Sequence, residues 1–140
     1  MTTHQELYES LGLSEETMND KARFIQLTRK GLSGEVVRRV ARTLDNREVL
    51  IRVLGTTSGN LNRFYRRKTM DANTSEELLD TIHIYGEALR VFGDLELAKT
   101  WIKTPLPALA GEAPEALFDT FKGREWVMQT LRKIEYGEFV

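Results

Sequence analysis

The stretch LGTTSGNLNRFYRRK, Leu54 to Lys68, places a glycine and a run of small polar residues ahead of a segment rich in cations. Apolar side chains recur at helical spacing before the glycine, and Leu61 with Phe64 or Tyr65 continues an apolar face after it. Glycine adopts positive φ without a steric cost, which lets a chain turn sharply between two helices. The stretch therefore predicts two packed helices joined by a tight turn at Gly55.

The second of these helices carries polar and basic side chains in the arrangement of a helix-turn-helix recognition helix. Thr57 is its predicted N-cap, and the first turns beyond Thr57 would enter a major groove. Asparagine can pair with adenine and arginine with guanine, whereas cations further along the helix are better placed for phosphates. The predicted DNA-binding residues are Thr57, Ser58, Asn60, Asn62, Arg63, Arg66, Arg67 and Lys68. The alternative is an ordinary helix with a solvated basic face.

Charge along the chain is strongly segregated, although the formal net charge is only −1. Residues 1–20 carry five acidic residues and no lysine or arginine. Residues 21–68 carry thirteen lysines and arginines against three acidic residues, and residues 69–140 carry seven against thirteen. Cations gathered in one region add their phosphate contacts together. The charge pattern therefore favours nucleic-acid binding by the middle third over a merely solvated face.

The fold class is predicted to be all-α, because helical periodicity recurs along the chain and strand-like alternation is scarce. Three regions are expected. Residues 1–20 form an acidic N-terminal helix, residues 21–72 a helix-turn-helix DNA-binding domain, and residues 73–140 a second small helical domain.

Capping and turn residues predict where several helices begin and end. One continuous helix is expected from Ser14 to Gly31, and a linker, TMDANT, precedes a long helix that begins at Thr74. Residues expected to face inward on the helix from Ser14 are Met18, Ala22, Ile25 and Phe24. Glycines expected to end helices are Gly93, Gly123 and Gly137.

Composition argues against several other classes of protein. The absence of cysteine excludes disulfides and thiolate metal sites, and it favours a reducing compartment. The N-terminus lacks a basic segment followed by an apolar run, and nothing approaches the ~20 apolar residues of a membrane span, so a cytoplasmic protein is expected. His83 and Glu87 lie at i, i+4 spacing, but no second histidine lies at ligand spacing, so a surface pair is favoured over a metal site. Neither catalytic activity nor a cofactor is expected.

The C-terminal half contains several spaced motifs in a fixed order. They are VFGD after Ala88, A-x-x-W-I-x-x-P from Ala98 to Pro105, L-x-x-T-x-x-G from Leu117 to Gly123 and L-x-x-I-E-Y-G from Leu131 to Gly137. Together with Gly111 and Pro114, these motifs closely resemble the toxin-binding domain of Xre/MbcA/ParS-type antitoxins. The resemblance implies an Xre-like helix-turn-helix ahead of that domain, which agrees with the predicted helix-turn-helix domain at residues 21–72.

The resemblance also implies a function. Antitoxins of this kind accompany RES-domain toxins, which degrade NAD, and the antitoxin is expected to block the toxin's active site. It is further expected to form a homo-oligomer, at least a dimer, that represses its own operon on promoter DNA.

The end of the chain is the expected toxin contact, because a tail beyond a helix-ending glycine can enter a cleft. The predicted toxin-binding residues are Arg132, Lys133, Tyr136, Glu138, Phe139 and Val140. The alternative function is a stand-alone helix-turn-helix transcriptional regulator whose C-terminal half mediates dimerisation or binds another protein.

Overall fold

The computed structural model of the chain describes residues 2–137, and this part of the chain is all-α, as predicted. Short 3₁₀ turns at Ser58–Asn60, Pro107–Leu109 and Pro114–Leu117 lie between the α-helices. The α-helices are α1 (His4–Ser10), α2 (Glu15–Asn19), α3 (Lys21–Lys30), α4 (Gly34–Leu44), α5 (Arg47–Leu54), α6 (Leu61–Tyr65), α7 (Ala72–Phe92), α8 (Leu95–Ile102) and α9 (Phe121–Glu135).

Helix α7 is the centre of the packing. It contacts α1, α3 and α5 on the N-terminal side and α8 and α9 on the C-terminal side. Most of its residues between Leu78 and Leu89 are buried, as expected of a helix that is covered on several faces. The buried apolar side chains form one cluster that extends from Leu7 to Leu131. The division into regions at residues 20 and 72 stays a prediction.

The acidic N-terminal segment contributes to this core. In α1, Leu7 and Tyr8 are fully buried, and the N-cap Thr3 accepts a hydrogen bond from the Glu6 backbone N–H at 3.1 Å. The Tyr8 ring packs against Gly86 of α7, where the Cβ of any larger residue would collide with the phenol. The acidic side chains of α1 lie on its solvent-exposed face, and its apolar side chains lie on the buried face.

The predicted continuous helix from Ser14 to Gly31 is wrong, because the helix is interrupted at Asp20. The Asp20 carboxylate accepts hydrogen bonds from the backbone N–H groups of Ala22 and Arg23, which starts α3 as a new helix. Met18 is buried as predicted and Phe24 is half-buried. Ala22 and Ile25 face solvent, contrary to prediction, because the break changes the rotation of α3 relative to α2.

Two other boundaries differ from prediction. Helix α7 begins before Thr74, because Asp71 is the N-cap and its carboxylate accepts from the Thr74 N–H at 2.7 Å. Gly123 does not end a helix. It lies in the first turn of α9, close to the Leu117 carbonyl, and donates its N–H to the N-cap Thr120. Gly93 ends α7 with a φ of 75°, as predicted.

Within the described residues, no helix combines the length and apolar character that a membrane crossing requires.

Candidate functional site

The turn between α5 and α6 has the predicted helix-turn-helix order. Gly55 caps the C-terminus of α5 with a φ of 63°, a left-handed conformation that favours glycine. The inner face is also as predicted, because Leu54, Leu61 and Phe64 are buried around the turn. Asn46 caps the start of α5 by accepting from the Val49 N–H at 3.2 Å.

The second helix of this unit is shorter than predicted. The chain passes through a 3₁₀ turn at Ser58–Asn60 before α6. Thr57 is the N-cap residue of this turn rather than of α6, whose N-cap residue is Asn60, and neither side chain accepts a capping hydrogen bond. Small polar residues and Gly59 favour turns over helix, which explains the delayed start.

The last three predicted DNA-binding cations lie outside the helix, because α6 ends at Tyr65. Two backbone hydrogen bonds hold the segment that follows α6. The Gly34 N–H donates to the Arg67 carbonyl at 2.8 Å, and the Met70 N–H donates to the Leu32 carbonyl at 2.8 Å. Gly34 allows this approach, because a Cβ at that position would collide with the carbonyl oxygens of Phe64 and Tyr65. The segment that carries Arg66, Arg67 and Lys68 is thereby fixed against the start of α4.

All eight predicted DNA-binding residues are exposed. The Arg67 guanidinium lies over the Phe64 ring, 4.3 Å from its centroid, which restricts the side chain through a cation–π contact. Within residues 2–137, the side chains of Arg63, Arg66 and Lys68 form no ion pair with a carboxylate. Their charge is therefore available to an external anion. We call the surface formed by Thr57–Lys68 the basic surface.

Sequence reasoning missed Arg47 as part of this surface. Its guanidinium donates to the Ser58 Oγ at 3.2 Å and to the Ser58 carbonyl at 2.9 Å. These bonds hold the 3₁₀ turn against the first turn of α5. No sequence signal identifies the contact, since the two residues are eleven positions apart on different elements.

A second candidate site lies where α7 meets the end of α9, around a network of charged residues. Glu87, which is only 7% exposed, accepts hydrogen bonds from Arg90 at 3.2 Å and from Arg132 at 2.6 Å. Glu135 completes the network by pairing with Arg90 at 2.5 Å and with Arg132 at 3.5 Å. Two cations and two anions thus join the C-terminal part of α7 to the last turn of α9.

This network sets the ionisation of Glu87. Burial opposes the carboxylate charge, but the hydrogen bonds from Arg90 and Arg132 outweigh it and hold the pKa of Glu87 below its ordinary value. Burial lowers the pKa of the neighbouring His83 imidazole, which favours its neutral form. Both Glu87 oxygens are occupied by arginines, and no group of three potential metal ligands occurs in the described part of the chain.

The predicted toxin-binding residues fall into two groups. Arg132 is half-buried within the charged network, Lys133 is exposed, and Tyr136, which follows α9 directly, is 74% exposed. Glu138, Phe139 and Val140 lie outside the described residues. The assignment of these residues to toxin binding stays a prediction.

The motif residues of the C-terminal half are mainly architectural. Ala88 and Ala98 are fully buried, and Pro114 begins a 3₁₀ turn. Trp101, at half-burial, packs against Phe92 with the ring centroids 5.6 Å apart. Sequence reasoning missed the exposed apolar side chains Phe121 and Leu97, which are 65% and 58% exposed. The helical pattern that predicts α8 and α9 does not identify which of their apolar residues remain uncovered.

Comparison with known proteins agrees with this arrangement. Residues 87–137 match the family described as the antitoxin Xre/MbcA/ParS C-terminal toxin-binding domain. The chain is also similar to Antitoxin Xre of Yersinia enterocolitica serotype O:8 / biotype 1B (strain NCTC 13174 / 8081), with 30% identity over 95 residues. The similar region covers 64% of this chain and 62% of that relative, so the chain spans less than two thirds of the relative's length. The resemblance predicted from the sequence is thus confirmed for the C-terminal part of the chain, where residues 87–137 match the Xre/MbcA/ParS toxin-binding domain.

Proposed function

We propose that the chain is an antitoxin that neutralises a RES-domain, NAD-degrading toxin by binding over its active site. The observation that carries this proposal is the match of residues 87–137 to a toxin-binding domain. The exposed Tyr136 at the end of that domain and the residues that follow it are the proposed insertion into the toxin. A binding role of this kind requires no catalytic group in the chain itself.

We also propose that the antitoxin binds promoter DNA through the basic surface and represses its own operon. Arg63, Arg66 and Lys68 support this, because they are exposed cations without an ion pair in the described part of the chain. Asn60 and Asn62 lie beside them, where amide groups could read base edges. The proposed active form is a homodimer, which would place two such surfaces about 34–36 Å apart, one helical turn of DNA. Light scattering on the purified chain measures that oligomeric state.

Co-expression with the toxin encoded by the adjacent reading frame tests the proposal. The antitoxin should restore growth in cells that express the toxin and should co-elute with it during purification. A stand-alone regulator, the alternative function, would bind promoter DNA but would do neither. The basic surface alone is compatible with both functions, so this experiment decides between them.

A further inference from the structure

A shallow furrow lies between α3 and α9, with α7 beneath it. Its first part has a volume of about 380 Å³ and lies between Phe24 and Ile25 of α3 and His83, Glu87 and Arg132 of the C-terminal half. Its second part has a volume of about 280 Å³ and extends along α9 past Phe121 and Met128. His83 and Arg132 line both parts, so the two form one continuous surface.

The furrow has uncovered apolar walls. Ile25 is 46% exposed on one wall and Phe121 is 65% exposed on the other. Both are among the few large apolar side chains in the described residues that remain this exposed. Apolar side chains that converge on a groove from separate helices are typical of protein-binding surfaces.

The charge of the furrow favours a protein over a nucleic acid as its occupant. Arg132 is paired with Glu87, and Arg124 is paired with Asp80 at 2.8 Å. Lys21 lines the first part of the furrow, and Glu125 lines the second part, where it pairs with Lys122 at 3.1 Å. A polyanion would gain little from this balanced set, whereas an apolar protein segment with a polar edge would fit it.

The furrow is continuous with the toxin-binding domain, which indicates the toxin as its partner. Glu87, Phe121 and Arg132 lie within the matched residues 87–137, whereas Phe24 and Ile25 lie outside them. Beyond Glu87 and Arg132, an adjoining depression leads to the exposed Tyr136. We propose that the bound toxin extends from Tyr136 into the furrow and contacts Phe24 and Ile25 of α3 through apolar side chains. This inference rests on the proposed antitoxin function and adds a contact surface from the N-terminal half.

Substitution of Ile25 tests the surface, with Gln26→Asp on the same helix as the matched control. Gln26 is exposed, lies outside the matched residues 87–137 and does not line the furrow. The affinity of each full-length variant for the toxin of the adjacent reading frame is measured by titration calorimetry. Ile25→Asp should weaken binding by about tenfold or more, and Ile25→Ala by less, as expected for an apolar interface residue. Gln26→Asp should bind as the wild-type chain does, and circular dichroism checks that all variants are folded.

Four outcomes would overturn the inference in different ways. Unchanged affinity of Ile25→Asp and Ile25→Ala, with a toxin that binds the wild-type chain, removes α3 from the interface but leaves the antitoxin function intact. Equal losses in Ile25→Asp and Gln26→Asp would show that the effect is not specific to the furrow. A change in the mass of the free protein without a change in toxin affinity would assign the furrow to a second copy of the chain. Failure of the wild-type chain to bind the toxin would overturn the proposed function and this surface together.

Discussion

At the scale of single residues, a close backbone contact at Gly34 holds the basic surface in place. Gly34 begins α4 and lies against the carbonyl oxygens of Phe64 and Tyr65, and its own N–H donates to Arg67. The sequence predicts that α4 starts near here, because Ser33 is a good N-cap. It does not predict the contact with α6, which joins residues thirty positions apart. A glycine at a helix start is common, so the pattern alone does not reveal that this one is sterically required.

Gly34→Ala should therefore destabilise the fold by at least about 2 kcal/mol, because the added methyl group collides with backbone that cannot rotate away. Gly59→Ala is the control, since its Cβ would meet open space and its φ is not left-handed. That variant should be neutral or slightly stabilising, because alanine restricts the unfolded chain. Urea denaturation of both variants measures the difference, and equal free energies of unfolding would contradict the close approach.

The ionisation of Glu87 makes a second prediction at this scale. A carboxyl whose pKa is lower in the folded chain stabilises the fold above its ordinary pKa of 4.5, and this stabilisation is lost as pH falls through the lower, folded-state pKa. Glu87→Gln should cost about 1–3 kcal/mol at pH 7, because Arg90 and Arg132 lose a charged acceptor. The cost should shrink progressively below pH 4.5, as the carboxyl takes up a proton first in the unfolded chain and then, at lower pH, in the folded chain.

Denaturation curves between pH 3 and pH 7 test the Glu87 network, with Glu96→Gln as the control. The Glu96 side chain is 81% exposed in its pair with Lys99, so its loss should have an effect below about 1 kcal/mol at every pH. A constant cost of Glu87→Gln across this range would show that Glu87 acts through packing rather than charge.

At the scale of elements, the most reliable sequence signals are residues with a restricted conformational role. Gly55 and Gly93 occupy left-handed positions where the sequence places them, and Asn46 caps α5. Asp20 is the counterexample, because an aspartate is tolerated on an exposed helix face as well as at an N-cap. Whether Asp20 lies on a helix face or at an N-cap depends on the packing of α2 and α3. The local pattern therefore predicted one helix where the chain forms two.

The basic surface should contribute to DNA affinity through individual phosphate contacts. Arg66→Ala should weaken promoter binding and reduce the slope of log Kobs against log salt by about 0.9, the release expected for one lost phosphate contact. Lys122→Ala is the control, because its side chain is 84% exposed on α9 and lies outside the basic surface. Binding measured by fluorescence anisotropy over a salt series gives both quantities. An unchanged slope for Arg66→Ala would remove this residue from the proposed interface.

The end of the chain should contribute to toxin binding but not to DNA binding. Tyr136→Ala, or deletion of Glu138 to Val140, should weaken toxin inhibition by about tenfold or more, as expected for an interface aromatic and its neighbours. Promoter affinity of the same variants serves as the internal control and should not change. An unaltered inhibition constant in both variants would place the toxin contact elsewhere on the domain.

At the scale of the whole molecule, α7 connects the two proposed activities. It packs against α5, which precedes the turn of the basic surface, and against α9, which leads to the proposed toxin contact. The sequence predicts the all-α class and the two functional regions, since periodicity and charge segregation are properties of the chain itself. It does not predict the network of Glu87 and Arg132, whose positions lie 45 residues apart and meet only through tertiary packing. The helical class was therefore predictable, and the side-chain contacts between the helices were not.

The central claim is that this chain inactivates a toxin by direct binding, and titration of toxin activity tests it most directly. Purified toxin from the adjacent reading frame is assayed for NAD degradation while the purified chain is added in increasing amounts. We expect the rate of NAD degradation to fall to background once the chain is present at or above the stoichiometry of the complex. A rate that remains constant at a large excess of the folded chain would contradict the claim.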